Sequence, residues 1–341
     1  MTTFLAAVII FGVLIIVHEL GHFLVAKATG VCVHEFSLGF GPRLGGFKYG
    51  ETAYNIRLFP LGGFVRMAGM EPREEDVPPA KSFKYKPLWA RMSIVLAGPL
   101  MNFFLAIMVL AAVFLAQGLP TPTTRILEVL PGEPAAKAGL QKGDQIVALN
   151  GREVTTWDAL VKEISARPGE TVTLTVVRDG IQKEIRVVPA ADASGRGRIG
   201  VYPVPEPRPV GVGTAIVAGA EYTIRLTWMI IDFIGKMIVH QAPVDVGGPV
   251  RVVAEIGKVA NLGVLPLMQL AAFLSINLGL FNLLPIPALD GSRFLFLAWE
   301  GVSGRPVKPE RENLIHLVGF ALLLMLMVVI TYNDIMRLMY E

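Results

Sequence analysis

Long uncharged, apolar runs dominate the pattern of hydrophobic and polar positions along this chain. Four runs contain no Asp, Glu, Lys or Arg: residues 1–17, 92–124, 259–289 and 313–333. Each can supply about 20 apolar residues, which is the length of a helix that crosses the hydrocarbon core of a bilayer. The pattern therefore predicts four membrane-spanning helices, which we place at residues 4–25, 93–117, 268–290 and 314–332.

The first run admits a second interpretation, because a cleaved signal peptide is also an N-terminal apolar segment. A signal peptide carries basic residues ahead of its apolar region and a small-residue cleavage motif behind it. Neither feature is present before His18. We therefore expect an anchored helix.

A fifth apolar segment, residues 214–240, differs from the four runs because it carries Glu221, Arg225, Asp232 and Lys236. At about 100° per residue of an α-helix, these four side chains fall on one stripe. A charged side chain at the centre of a bilayer costs about 2.5–3.5 kcal/mol. We therefore expect residues 201–265 to form a linker with an amphipathic helix that lies at the membrane interface or packs on a neighbour.

The composition agrees with a membrane protein and excludes several other classes. Hydrophobic residues make up 53% of the 341 residues and charged residues 17%, against about 25% charged in a typical soluble chain. The net charge of +3 is too small to indicate a nucleic-acid-binding protein. The single cysteine, Cys32, excludes an intramolecular disulfide.

The loops between the apolar runs predict how the chain lies in the membrane. Residues 27–91 hold ten Lys or Arg side chains, and residues 301–312 hold three more. Short loops rich in Lys and Arg stay on the cytoplasmic side. We therefore expect these two loops in the cytoplasm, and both termini together with residues 117–267 outside it.

Residues 118–200 lie between the second and third apolar runs and predict a small α+β domain. Strand-like runs at 171–178 and 183–188 flank Asp179-Gly180, which is a hairpin turn signal. Ahead of them stand the segments Pro131–Leu140, Lys142–Asp144 and Asn150–Val154, with glycines at fixed offsets among apolar positions. This series resembles a PDZ domain of the bacterial protease-associated kind.

A PDZ resemblance implies that the domain binds an extended peptide, or a peptide C-terminus, by strand addition. The alternative is a small mixed domain that acts only as a steric cover. The proline-rich residues 202–209 that follow predict a stiff spacer.

Two histidines and a glutamate interrupt the end of the first apolar helix as His18-Glu19-Leu-Gly-His22. Side chains four residues apart share one face of an α-helix, so both imidazoles can reach one metal ion. Glu19 is adjacent and can act as a general base. Such groups inside a membrane helix are costly and are typical of functional sites. The alternative is a charged helix end at the membrane interface.

A zinc site needs a third protein ligand, and the chain offers five candidates: His34, Glu35, His240, His316 and Asp290. His18 lies about 21 Å along the first helix at about 1.5 Å per residue. The third helix runs in the same direction and reaches that depth near Asp290, unless residues 214–240 span the membrane and reverse it. Pro285 and Pro287 make the chain there irregular, which is tolerated at membrane depth only where it is buried in protein or lines a wet cavity. Asp290 therefore fits as the third ligand.

These motifs together resemble the site-2 protease family of intramembrane zinc metalloproteases, in its bacterial regulator of sigma-E protease branch with one PDZ domain. The resemblance rests on His18–His22, on Asn282–Gly291 (NLLPIPALDG), on Gly98-Pro99 and on the PDZ pattern between the second and third helices. It implies one zinc ion per chain, held by His18, His22 and Asp290, with Glu19 as the acid and base. It also implies that Asn282 holds the substrate backbone; alternatively, Asn282 bonds the free carbonyls of the broken helix.

The cytoplasmic residues 35–70 alternate like strands and are broken by glycines. They resemble the family's membrane-re-entrant β-loop, whose edge pairs with an extended substrate. A helix hides its peptide bonds, so a protease must unwind its substrate. A strand edge stabilises the unwound form. The alternative is a solvated cytoplasmic hairpin.

The sequence thus predicts an α-helical polytopic membrane protein with a re-entrant β-loop and an inserted extracytoplasmic PDZ domain. The expected location is the bacterial inner membrane, with the active site towards the cytoplasmic side. The expected activity is hydrolysis of peptide bonds within single-pass membrane proteins, such as an anti-sigma factor or a remnant signal peptide; no nucleic-acid partner is expected. Two other functions stay open: a non-catalytic PDZ scaffold, and a zinc transporter or sensor.

Overall fold

The computed structural model of the protein describes residues 3–70, 77–241 and 247–340. The chain divides into two compact units, one made of Met1–Val113 with Val212–Glu341, and one made of Phe114–Gly211. We call them the helical unit and the inserted unit.

The described helices are, in chain order, α1 (Thr3–Ala28), α2 (Leu88–Gln117), α3 (Pro134–Lys137), α4 (Trp157–Ser165), α5 (Val212–Ile238), α6 (Pro249–Ala260), α7 (Val264–Leu283), α8 (Asp290–Ser303) and α9 (Pro309–Tyr340). Short 3₁₀ turns cover Pro79–Lys81 and Phe83–Tyr85. The described strands are β1 (Val33–Tyr49), β2 (Thr52–Met67), β3 (Leu119–Val129), β4 (Gln145–Leu149), β5 (Arg152–Glu153), β6 (Val172–Arg178), β7 (Ile181–Val187), β8 (Ala190–Ala191), β9 (Gly197–Arg198) and β10 (Val201–Arg208).

Four of the described helices are long and apolar enough to cross a membrane, which confirms the predicted number of candidate spans. They are Thr3–Ala28, Leu88–Gln117, Val264–Leu283 and Glu310–Arg337. The third ends at Leu283, before the predicted end at residue 290, because Leu284 is extended and precedes Pro285. Asp290 instead begins α8, after a short irregular segment.

Helix α5 is not among the four candidate spans, as its charged stripe predicts. Its four charged side chains are exposed, and the Lys236 Nζ lies 2.6 Å from the Asp232 Oδ2. Helix α6, which the sequence did not predict, follows within the region expected to be a linker. A carboxylate from α9 caps α6, because Asp334 accepts hydrogen bonds from the backbone N–H groups of Gly248 and Arg251 at 3.1 and 3.0 Å.

Strands β1 and β2 form a sheet that is anchored at its base and exposed at its far end. Burial alternates along residues 33–39 of β1, and β1 is exposed from Phe40 onward. The register pairs residues 35–38 both with 53–56 and with 63–66, so that 35–38 is the central segment of a doubled-back sheet. At the base, Val33 and Met67 pack against Ala26 of α1 and Ile94 of α2.

Two glycines let α1 and α2 approach closely beside His22. A Cβ atom at Gly98 would collide with the His22 imidazole, and one at Gly21 would collide with the backbone carbonyl of Ala97. Small residues allow this kind of close approach between membrane helices. The Gly98-Pro99 motif therefore has a structural reason, since Gly98 leaves space for the His22 ring.

The inserted unit is a sheet with strand order β10-β3-β4-β6-β7, and β5 pairs with β4. Its core includes the fully buried side chains of Ile126, Ile146, Leu160 and Leu174. The predicted hairpin turn is confirmed between β6 and β7, where Asp179 and Gly180 both have positive φ, at 54° and 80°.

The predicted spacer at residues 202–209 is wrong, because Val201–Arg208 is strand β10, paired with β3. Pro203, Pro205 and Pro207 are two residues apart, so their missing N–H groups all lie on one side of the strand. Strand β10 is at the edge of the sheet, where proline is tolerated. The folded inserted unit therefore extends past the predicted boundary at residue 200.

Candidate active site

Three side chains from two helices of the helical unit meet at one point. His18 and His22 come from α1, and Asp290 is the first residue of α8. The Asp290 Oδ2 lies 3.1 Å from the His18 Nε2 and 3.3 Å from the His22 Nε2, and the two Nε2 atoms are 3.3 Å apart. Among the residues that the structure describes, these three form the group able to hold a metal ion.

The hydrogen bond on the far side of the His22 ring shows where its proton lies. The His22 Nδ1 is 2.8 Å from the backbone carbonyl oxygen of Ile94. A carbonyl only accepts, so the Nδ1 carries the hydrogen and the Nε2 of the neutral ring presents a lone pair. That lone pair points to the His18 and Asp290 ligand atoms, an arrangement that a shared cation stabilises.

The His18 ring has a similar partner in Asn102 of α2. The Asn102 amide nitrogen lies 3.1 Å from the His18 Nδ1, while the buried Asn102 Oδ1 has no hydrogen-bond partner among the described atoms. Oxygen and nitrogen of an amide are assigned from the hydrogen-bond network. Rotating the amide by half a turn places Oδ1 where it accepts from an Nδ1–H, which leaves the His18 Nε2 free to bind a metal.

These observations test whether the site fits a metal. Two imidazole nitrogens and one carboxylate oxygen are a donor set typical of catalytic zinc, with a fourth position for water or substrate. Both rings have partners on their Nδ1 atoms that favour the tautomer with a free Nε2. The three residues therefore fit zinc.

One face of α2 supplies the partners of both histidines. Ile94, Gly98 and Asn102 are four residues apart, so they lie on the same helix face. The backbone of Ile94 bonds His22, Gly98 leaves space for His22, and Asn102 contacts His18. Sequence reasoning missed Asn102; an amide within an apolar helix, four residues after Gly98, is the signal that was available.

A cavity of about 520 Å³ opens beside the three ligand residues. Glu19 and Asn282 both line it, together with Ala288 and Arg293 from the segment around Asp290. On another side it is lined by β2 residues 63–67. A Cβ atom at Gly63 would lie 3.2 Å from the Glu19 Cγ, so this strand passes close to Glu19. All four residues predicted for metal and acid–base chemistry, and Asn282, therefore border one cavity.

The other four candidates for the third ligand lie elsewhere. Glu35 accepts hydrogen bonds from Asn55 and Arg57 within the β1–β2 sheet. Burial alone would raise the pKa of Glu35, but these hydrogen bonds hold it below its ordinary value. The His316 Nδ1 accepts a hydrogen bond from the Ala288 N–H. His34 and His240 are not part of the metal-ligand group.

Comparison with known proteins identifies the family. The model of peptidase family M50 matches residues 6–326. The chain belongs to peptidase family M50. It is a zinc metalloprotease of the site-2 protease type and an integral membrane protein.

Relatives of this M50 peptidase carry protease names, which agrees with the family match. The zinc metalloprotease RasP of Geobacillus kaustophilus is 36% identical, over 97% of this chain and 97% of that protein. The regulator of sigma-W protease RasP of Bacillus subtilis is 34% identical, over 98% of this chain and 99% of that protein. The probable protease eep of Enterococcus faecalis is 29% identical over the full length of both chains.

Two solved structures each match about a quarter of this M50 peptidase. The PDZ domain of the SdrC-like protein of Listeria innocua is 24% identical and covers 24% of this chain and 92% of that domain, with a TM-score of 0.22. The PDZ domain of the SdrC-like protein of Listeria monocytogenes is 21% identical and covers 25% and 88%, with a TM-score of 0.23.

Proposed function

We propose that this M50 peptidase hydrolyses peptide bonds within the membrane-spanning segments of single-pass proteins. In this proposal His18, His22 and Asp290 hold one zinc ion, and Glu19 is the catalytic acid and base. The observation that carries it is the meeting of three ligand atoms with paired Nδ1 positions at a cavity that Glu19 also lines. This site begins on α1, a helix long and apolar enough to cross a membrane.

The proposed chemistry assigns one task to each group. Zinc, when bound, supplies a Lewis acid that polarises the scissile carbonyl and lowers the pKa of water, so that water can lose a proton and attack near neutral pH. Glu19 takes the proton of the attacking water and passes it to the nitrogen of the leaving amine. Asn282 borders the cavity with Glu19 and holds the substrate backbone through its side-chain amide.

Strand β2 provides a place for an unwound substrate. Residues 63–66 are paired with 35–38 of β1, and residues 63–67 line the cavity that contains the metal ligands. An extended segment that adds to this edge would be held by backbone hydrogen bonds next to Glu19. The far end of the β1–β2 sheet exposes the apolar side chains of Phe40, Leu44, Phe47 and Phe59, which supports its insertion into lipid.

The inserted unit is proposed as a peptide-binding or size-selecting PDZ domain on the extracytoplasmic side. A groove of about 370 Å³ between α4 and the segment leading into β10 is lined by apolar side chains, including Trp157, Leu160, Ile164 and Ile199. The Lys- and Arg-rich loops at residues 27–91 and 301–312, both expected in the cytoplasm, support this sidedness. Thiol labelling of Lys137→Cys in a Cys32→Ala background tests it, because label reaching residue 137 only from the cytoplasmic side would contradict it.

The substrate class also rests on a relative. One relative carries the name regulator of sigma-W protease, so we propose that this chain likewise acts on a membrane protein that controls a sigma factor. A remnant signal peptide is the second proposed substrate. Membrane proteins that accumulate when Glu19→Gln replaces the wild type would identify the natural one.

The Glu19→Gln variant tests the activity itself. We expect it to keep about one zinc per chain and to lose cleavage of a membrane-segment reporter by about 10²–10⁴-fold, the usual contribution of a general acid or base. Glu255→Gln is the matched control, because Glu255 is an exposed carboxylate on α6 of the same unit. Wild-type cleavage by Glu19→Gln would contradict the mechanism, and zinc binding without any cleavage by the wild type would favour a scaffold, transporter or sensor.

A further inference from the structure

The segment that carries Asp290 has little regular structure of its own. Between α7 and α8, Pro285 and Pro287 have no N–H to donate. Short-range bonds hold the rest: the Ile286 N–H donates to Leu284 O at 2.7 Å, and the Leu289 N–H donates to Ile286 O at 3.1 Å. Something outside this segment must therefore contribute to its position.

Ala288 marks where that contribution is needed. Its φ is +75°, a left-handed conformation that a residue with a Cβ adopts at a cost of order 1 kcal/mol. Such a conformation persists only where the surroundings hold it. The Ala288 N–H donates to the His316 Nδ1 of α9 at 3.0 Å, across 28 residues of sequence.

Helix α9 makes two further contacts here, one with this segment and one with α8, through residues about one turn apart on α9. Gly319 lies directly against Pro287, because a Cβ atom at Gly319 would collide with the Pro287 side chain. The Phe296 ring of α8 packs edge-on against the His316 ring at 5.8 Å between centroids. Only 6% of the most apolar part of α9 is buried, so these are among the few places where α9 touches the protein.

The hydrogen bonding of His316 shows that its ring serves this segment. Because the Nδ1 accepts from Ala288, the proton of the neutral ring is on the Nε2. The buried Nε2 has no hydrogen-bond partner among the described atoms, and the Glu312 Oε1 is 3.8 Å away. The bond to Ala288 is thus the hydrogen bond that this ring makes in the described structure.

We infer that His316 is a positioning residue, which holds the left-handed Ala288 backbone so that the Asp290 carboxylate meets His18 and His22. Gly319 completes this contact by letting α9 lie against Pro287. The inference rests on the proposed zinc site. In this inference the support of the third ligand comes from α9, the fourth candidate span, rather than from α1 or α8, the two helices that carry the ligands.

The test compares two substitutions of His316. In His316→Asn the amide oxygen can take the place of the Nδ1 and accept from Ala288, whereas His316→Leu has no acceptor. We expect His316→Leu to weaken zinc binding by about 10–100-fold, the usual effect of losing a partner that orients a metal ligand. We expect His316→Asn to bind zinc nearly as the wild type does. Zinc affinity is measured by competition with a chelator on the full chain in detergent.

A second measurement needs neither zinc nor activity. Hydrogen exchange of the peptide covering residues 284–292 in the zinc-free protein should be faster in His316→Leu and close to wild type in His316→Asn. Wild-type affinity and exchange in His316→Leu would overturn the inference. Equal losses in both variants would also overturn it, because rescue by the amide oxygen is its specific expectation.

A pair of glycine variants keeps the test decisive if His316→Leu fails to fold. Gly319→Ala should weaken zinc binding, because its Cβ displaces Pro287. Gly235→Ala in α5 is the matched control, because a Cβ there meets nothing within 4 Å. Equal zinc affinity in the two glycine variants would overturn the inference. These measurements do not use cleavage, so their failure is distinct from failure of the proposed activity.

Discussion

The two units of this protein hold carboxylates away from solvent for different reasons, one fully buried and the other half-buried. In the inserted unit, Asp144 is fully buried and accepts hydrogen bonds from the Arg178 Nε and Nη2, both at 2.7 Å, and from the Gln141 N–H at 2.9 Å. In the helical unit, the Asp290 Oδ2 faces two imidazole nitrogens whose rings are set to present lone pairs. The first carboxylate has its donors within the protein. The second lies in a group of acceptors that a metal cation completes.

This difference separates a structural carboxylate from a functional one. A buried acid that is paired with an arginine and a backbone N–H is satisfied, so it stabilises one arrangement of the chain. A cluster of ligand atoms without donors is costly until a cation binds. The number of donors around a buried carboxylate therefore says more about its role than its burial does.

Among the substitutions that test this difference, Asp290→Ala should have the largest effect. Removing a direct ligand should reduce zinc affinity by more than the about 10–100-fold expected for a supporting residue. Zinc content after dialysis of the purified chain measures this. Asp232→Ala, which removes an exposed carboxylate from α5, is the control. Unchanged zinc content in Asp290→Ala would remove Asp290 from the ligand set.

A smaller effect is expected for Asp144→Asn, which acts on stability rather than on zinc. Breaking a buried ion pair should lower the free energy of unfolding of the inserted unit by about 3 kcal/mol. Hydrogen exchange of β4 and β6 in the full chain measures it, with the exposed Glu184→Gln as control. Zinc affinity should stay at the wild-type value, and a large loss of zinc would contradict the separation of the two roles.

The ion pair between Asp144 and Arg178 predicts that the stability of the inserted unit depends on pH. Burial alone would raise the pKa of Asp144, but hydrogen bonds from Arg178 and Gln141 hold it below its ordinary value. A lowered folded-state pKa gives stability that is present above the unfolded value of about 3.9 and is lost as the pH falls towards the folded value. The wild type should therefore lose protection in β4 and β6 below about pH 4, and Asp144→Asn should lack this component.

The smallest of these effects is expected for Asn102→Leu. Losing the partner of the His18 Nδ1 should weaken zinc binding by about 10–100-fold. Asn102→Asp, whose carboxylate can still accept from an Nδ1–H, should bind zinc more tightly than Asn102→Leu. Asn277→Leu is the matched control, because in the described part of the chain the Asn277 amide donates to the Phe273 carbonyl of its own helix α7. Equal affinities for Asn102→Leu and the wild type would show that the tautomer of His18 is set by something else.

Much of the candidate site could be predicted because its main pattern is local. His18 and His22 are four residues apart on a helix whose length follows from its apolar run, and Glu19 is their neighbour. Asp290 could be chosen among five candidates because depth in a membrane follows from helix length and direction. The roles of Asn102 and His316 were not predicted, since they depend on contacts across 84 and 28 residues.

The fold, like the site, could be predicted where its pattern is local and not where it depends on long-range contacts. Hydrophobic length indicated four spans, and the charged stripe of α5 excluded a fifth. The proline-rich sequence of strand β10 predicts a spacer, because proline disfavours strands except at an edge. Only the assembled sheet shows which strand is at the edge. Helix α6 was missed because Asp334 of α9 supplies the cap that its own sequence lacks.

The sequence by itself determined where lipid-soluble helices form and which ionisable groups interrupt them, because both follow from the cost of placing charge in hydrocarbon. Only the tertiary structure decided that Ile94 and Asn102 set the histidine tautomers and that His316 holds the Asp290 segment. Those assignments depend on the distances between α1, α2, α8 and α9. Helix packing sets these distances, and spacing along one helix does not contain them.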